Sequence, residues 1–240
     1  MFIVKPNELG ESSSTKVNFL YQKEKVFVMD NHLCAAWCWA TYLDLTNKYK
    51  FIHIDRHYDM ILYDEEINEE IISNNIDISK LSFEDFYDIQ HPRVKTEIFK
   101  SPLFRYENFI LGFNKLFPNT FIDNIFITKK LGCIDIDDFI TQETTIDIFI
   151  SQFNWWSESN KIVLDIDIDF FFLDYPIIQM YSDELIIKFI DKIIDNWDNI
   201  DIITIALSPE CCKNWSNAIK VFDIFNNKLD LGLNLNDYIK

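Results

Sequence analysis

A chain of 240 residues with 48% hydrophobic and 16% aromatic side chains has enough apolar material for a sizeable core, and with only 4 Gly and 6 Pro it falls outside the disordered and low-complexity classes. Its 22 Lys and Arg against 39 Asp and Glu give a formal charge of −17, which disfavours nucleic-acid binding and favours cationic ligands such as basic peptides or guanidinium groups. No apolar run reaches the ~18 residues of a membrane span, and Met1 to Pro6 lacks a signal-peptide core, so a single cytoplasmic domain is expected.

In chain order, a polar segment from Leu9 to Lys16 precedes Lys25-Val26-Phe27-Val28-Met29, which predicts a strand ending at Asp30-Asn31-His32. Leu33 to Thr46 then predicts a helix capped by Asp30 or Asn31. The next strand is Phe51-Ile52-His53-Ile54-Asp55-Arg56-His57-Tyr58-Asp59, where alternation turns His53, Asp55, His57 and Asp59 to one face. A strand, helix and strand in succession imply parallel strands in one sheet. Their C-terminal ends then share an edge, the edge where open α/β sheets bind ligands, and His32 can meet the second cluster there.

Residues 61–100 are acidic and weakly periodic, which predicts a lid or substrate wall, with Ser82 capping a short helix to Tyr87. His91 precedes Pro92, is therefore extended or in a turn, and is a candidate proton shuttle. An aromatic stretch from Phe104 to Leu116, a turn at Pro118-Asn119, a short strand from Ile125 to Thr128 and an amphipathic stretch from Asp137 to Phe153 follow. A strand at Ile162 to Leu164 leads into Asp165, Asp167 and Asp169, three acids alternating with isoleucines. Ser182 opens an amphipathic helix to Trp197, a buried strand runs from Asp201 to Leu207 and ends at Ser208-Pro209-Glu210, and Trp215 to Phe225 forms a last helix. The five cysteines, two of them adjacent at Cys211-Cys212, fit no simple disulfide framework and are read as reduced thiols.

Like-charged carboxylates such as Asp55 and Asp59 tolerate a half-buried site only when a cation or proton compensates them. Imidazoles with several carboxylates and no thiolate suit a first-row divalent ion from the harder end of the series. Solvated strand ends and an acidic edge strand are the simpler alternatives.

Read in order, His32, Asp55-x-His57-x-Asp59 and Asp165-x-Asp167 resemble the ureohydrolase superfamily of arginases, agmatinases and deacetylases. The phrases from Leu164 to Phe171 and from Ile205 to Cys212 resemble more closely a divergent arginase-like family that includes peptide arginases. These act on ribosomally made precursor peptides. The resemblance implies a three-layer α/β/α sandwich with a mainly parallel sheet and two Mn(II) ions. His32, Asp55, Asp59 and Asp165 would hold one ion and His57 and Asp167 the other, with Asp55 and Asp165 bridging. Glu210 would face the substrate guanidinium, and His53 or His91 would shuttle a proton. Asp169 is an additional substrate-binding carboxylate, or it marks a register two residues later for the second motif. The first motif, Asp30-Asn31-His32, departs from the usual glycine-rich one.

The implied activity is hydrolysis of peptidyl-arginine to peptidyl-ornithine and urea, with an arginine-containing precursor peptide as partner. The short chain suggests an open site mouth; oligomeric state is open. The alternatives are a metal-dependent deacetylase or amidohydrolase of acylated amines, and a non-catalytic metal-containing module that binds basic peptides. A phosphate-transfer enzyme using Asp165-x-Asp167 is disfavoured because that motif usually opens the chain.

Overall fold

Eight strands form one sheet: β1 (Phe2–Val4), β2 (Leu20–Lys23), β3 (Val26–Met29), β4 (Tyr49–His57), β5 (Phe121–Leu131), β6 (Gln142–Glu143), β7 (Lys161–Asp167) and β8 (Ile200–Ala206). The structure, a computed structural model, describes residues 1–13, 15–92, 101–158 and 161–239, so positions 93–100 of the expected 61–100 segment lie outside the described residues. The strand order is β1-β2-β3-β8-β7-β4-β5-β6. β1 and β2 pair antiparallel with their neighbours, and every pairing from β3 to β6 is parallel.

Alternation along each strand sends side chains to two helical layers. Ile52 and Ile54 of β4, with Leu164 and Ile166 of β7, pack against α5 (Ile146–Ser157), α6 (Asp183–Asp195) and α7 (Trp215–Lys228). Phe51 and Val163 face the other way, toward α1 (Ala35–Tyr42) and α4 (Phe109–Leu116). The result is a three-layer α/β/α fold with a mixed, mainly parallel central sheet. Burying one Phe or Leu side chain in such a layer contributes about 1.5–3 kcal/mol, and the second layer buries Phe51, Phe109, Phe113 and Phe121 around Trp39.

β3 and β4 are parallel in one sheet, as the strand-helix-strand reading expects, but β8 and β7 lie between them. Three strand spacings separate their ends by about 14 Å. The gap is closed by a tight 3-10 turn, His32–Cys34, capped by the Asn31 Oδ1, which accepts from the Leu33 N–H at 3.0 Å. Within residues 61–92 the chain forms α2 (Asp64–Ile67), a π turn (Asn68–Ile72) and α3 (Phe83–Tyr87). Ile67, Ile71, Ile78, Phe83 and Phe86 from this segment are buried in the α1/α4 layer.

Candidate metal centre

Five aspartates and three histidines converge where β3, β4 and β7 end: Asp55, Asp59, Asp165, Asp167, Asp169, His32, His53 and His57. The His32 ring is fully buried and stacks on Phe109 of α4 at 4.8 Å. Its Nδ1 lies 3.4 Å from an Asp55 oxygen, 3.5 Å from Asp59 and 3.4 Å from Asp167. Asp55 uses Oδ2 for that contact and turns Oδ1 toward His57 Nδ1 at 3.3 Å. The same His57 nitrogen is 3.2 Å from Asp169 Oδ2. Asp55 therefore faces a different imidazole with each oxygen.

The local backbone serves this convergence. Asp59 has φ 53°, in the left-handed region, which Asp tolerates better than most residues and which turns the chain back after β4. Ser208, with φ 39°, caps Asp167 by donating its hydroxyl to Oδ2 at 2.5 Å. The Asp169 N–H donates to Asp167 Oδ1 at 2.9 Å and fixes the turn after β7. Arg56, between Asp55 and His57, is buried and reaches Asp169 at 3.5 Å and Asp174 at 3.6 Å.

The electrostatics describe a site short of positive charge. Burial pushes Asp59 up to about 7, assisted by the Asp55 charge. Asp167 and Asp169 are raised for the same reason, first by burial and then by neighbouring carboxylates. Burial would raise Asp55 too, but contacts from His32 and His57 outweigh it and hold Asp55 well below the usual range. Burial opposes protonation of His57, yet Asp169 and Asp55 carry it up to about 11.

Ligand atoms that share an ion at about 2.1 Å stand about 3.0–3.4 Å apart, close to the separations around His32 and His57. Both His32 nitrogens, Asp55 Oδ2 and Asp169 Oδ2 are buried without a hydrogen-bond partner among the described residues. Such orphaned groups are costly unless something compensates them. Two three-residue sets, His32-Asp55-Asp167 and Asp55-His57-Asp59, have ligand atoms mutually within 4.8 Å and share Asp55. The cluster is compatible with a binuclear metal-binding site.

Above it opens a cavity of about 430 Å³, lined among others by His32, His57, Asp59, Asp167, Asp169 and Glu210. Glu210 follows β8, as its sequence position predicts, and stands exposed at the rim. Its carboxyl is pushed up by partial desolvation and then by Asp30 and Asp169. His53 is fully buried beneath the cluster, 2.8 Å from Asp165, and neither residue is among those lining the cavity. His91 is buried beside Glu66 at 4.0 Å and edge-on to Tyr63, also away from the cavity lining.

Sequence reasoning did not single out Ser208, Thr204, Arg56 or Cys211. Cys211 lines the cavity, its sulfur within 4.8 Å of the facing His57 and Asp169 atoms. Its place after Glu210 at a strand exit was the available signal; the inward-pointing Thr204 and Arg56 gave none, because polar residues within apolar strands read equally as surface. All five cysteines are free thiols. Among the described residues, no helix is long and apolar enough to cross a membrane.

No protein-family profile and no curated protein matches this chain. The functional reading therefore rests on the site.

Proposed function

We propose that this protein is a divalent-metal-dependent hydrolase converting arginine residues of a precursor peptide to ornithine with release of urea. One observation carries the reading: Asp55 directs one oxygen to each of two histidines at the floor of an acid-lined cavity. His32, Asp55, Asp59 and Asp167 would hold one Mn(II), and His57, Asp55 and Asp169 the other. In this reading the second motif falls two residues later than Asp165-x-Asp167, and Asp167 and Asp169, which line the cavity, would be its ligands.

When bound there, two divalent ions supply Lewis acidity and activate water as a nucleophile near neutral pH. The chain's own groups do the rest. Glu210 accepts guanidinium N–H donors in a charge-assisted contact and aims the guanidinium carbon at the floor. Water adds to that carbon, the bond from it to the side-chain nitrogen breaks, and urea keeps the oxygen. The two protons that the water gives up pass to the ornithine nitrogen, which leaves as the ammonium, Glu210 taking and returning one of them. The Tyr106 ring, 40% exposed, stands at the mouth beside Glu107, where a peptide would pass.

A second reading, a single-ion deacetylase or amidohydrolase of acylated amines, draws on the thiol-containing set His57-Asp169-Cys211, which would suit a softer ion. Urea release and product mass separate the two. Protein loaded with Mn(II) is offered free arginine, agmatine, arginine-containing peptides and acylated polyamines. Urea from peptides, with a loss of about 42 Da per arginine, is the expected result. Deacetylation without urea would overturn the arginase reading in favour of the second.

A further inference from the structure

Asp165 occupies a level of the site different from that of the other aspartates. Strand register puts His53, Asp165 and Thr204 side by side across β4, β7 and β8. All three are fully buried. Asp165 Oδ2 is 2.8 Å from His53 Nδ1, and Oδ1 accepts the Thr204 hydroxyl at 2.6 Å. Trp39 of α1 donates its indole N–H to the Thr204 oxygen at 3.3 Å, so the row is anchored in the helical layer.

His32 spans this row and the cavity. Its Nδ1 faces Asp55, Asp59 and Asp167, and its Nε2 faces Asp165 Oδ1 at 3.4 Å. Neither nitrogen has a hydrogen-bond partner among the described residues. A nitrogen that gives its lone pair to a cation carries no proton, so a neutral ring coordinating through Nδ1 has its proton on Nε2. The acceptor in front of that proton is Asp165. Oδ1 has a lone pair left after accepting from Thr204.

We propose that Asp165 is the outer-shell acceptor for His32: it holds the Nε2 proton, fixes the ring with Nδ1 toward the ion, and is itself clamped by His53 and Thr204. Asp165 is a positioning residue and not a ligand. This rests on the metal-site reading above and adds to it a buried anionic support beneath the first ion. Carboxylate partners of this kind raise ligand basicity and are worth about 10–100-fold in metal affinity.

The test compares wild type with Asp165→Asn, Asp167→Asn and Thr204→Val. Mn(II) stoichiometry and affinity are measured by equilibrium dialysis, and histidine tautomers by ¹⁵N NMR of the Zn(II)-loaded protein. Two ions in wild type, two in Asp165→Asn bound about 10–100-fold more weakly, and fewer in Asp167→Asn support the proposal. So does a low-field His32 Nε2 proton that moves upfield in Asp165→Asn. If Asp165→Asn does not fold, Thr204→Val, which removes one clamp without changing shape, must shift the same proton while retaining two ions; an unchanged His32 signal overturns the proposal. Loss of an ion at saturating metal in Asp165→Asn, with two retained in Asp167→Asn, makes Asp165 a ligand and also overturns it. A wild-type protein that binds no ion instead fails the metal reading itself, and the proposal falls with it.

Discussion

At the residue scale, the carboxylates of the centre divide by what compensates them. Asp55 is held ionised by two imidazoles, whereas Asp59, Asp167 and Asp169 are raised toward the neutral form. Asp59, at about 7 in the folded chain against roughly 4 unfolded, contributes stability that is present below pH ~4 and lost as pH rises through its folded value. His57, raised from 6.5 to about 11, contributes stability present below its unfolded value and lost as pH climbs toward the folded one. Asp55 is depressed and so contributes uniformly above its unfolded value. The melting temperature of metal-free protein should therefore fall between pH 5 and 8, while Mn(II) stabilises increasingly over the same interval because protons no longer compete. Thermal unfolding with and without chelator checks this; a metal-free melting temperature that rises over that interval would count against the assigned charges. Glu210→Gln keeps the shape of the rim but removes the charge that, in the proposed function, would face the guanidinium. It should lower kcat/KM on arginine peptides by about 10–100-fold, corresponding to roughly 1.4–2.8 kcal/mol, with metal content unchanged.

At the element scale, helix α4 braces the centre from above the sheet. Phe109 stacks on His32, and Gly112, one turn on, lets Phe104 approach so closely that an added Cβ would lie 2.7 Å from its ring. Gly112→Ala would gain about 1 kcal/mol of helix propensity but should lose about 1–3 kcal/mol to overpacking, a net destabilisation readable in denaturant titration. Strands β4 and β7 were legible from the sequence because isoleucines alternating with ionisable residues have one period and one burial solution, and β8 because it is a short, nearly continuous apolar run. So was the cap of α6, where Ser182 accepts from the Leu185 N–H at 3.3 Å. The short antiparallel strands β1 and β2 were not, since three or four residues carry too little periodicity. Which two of Asp165, Asp167 and Asp169 face the cavity was equally illegible. Period-two alternation places all three on one face, and only the end of β7 at Asp167 and the turn that follows separate the buried row from the cavity floor.

At the scale of the whole molecule, a parallel sheet gathers strand exits that are far apart in sequence along one edge. The order β3-β8-β7-β4 spreads them, and the 3-10 turn after β3 brings His32 back over them. The layered class could be read from the succession of strands and helices. The insertion of β8 and β7 between β3 and β4 could not, because nothing local encodes which strands become neighbours. The formal charge of −17 adds a long-range bias toward cations, of which divalent metal and arginine side chains are two kinds. Whether Asp55 would be shared by two ions, as we propose, is tested most directly by anomalous diffraction from Mn(II)-soaked crystals. Two peaks flanking Asp55, one beside His32 Nδ1 and one beside His57 Nδ1, are the predicted result. No peak, or a single peak lodged between His53 and Asp165, would contradict it.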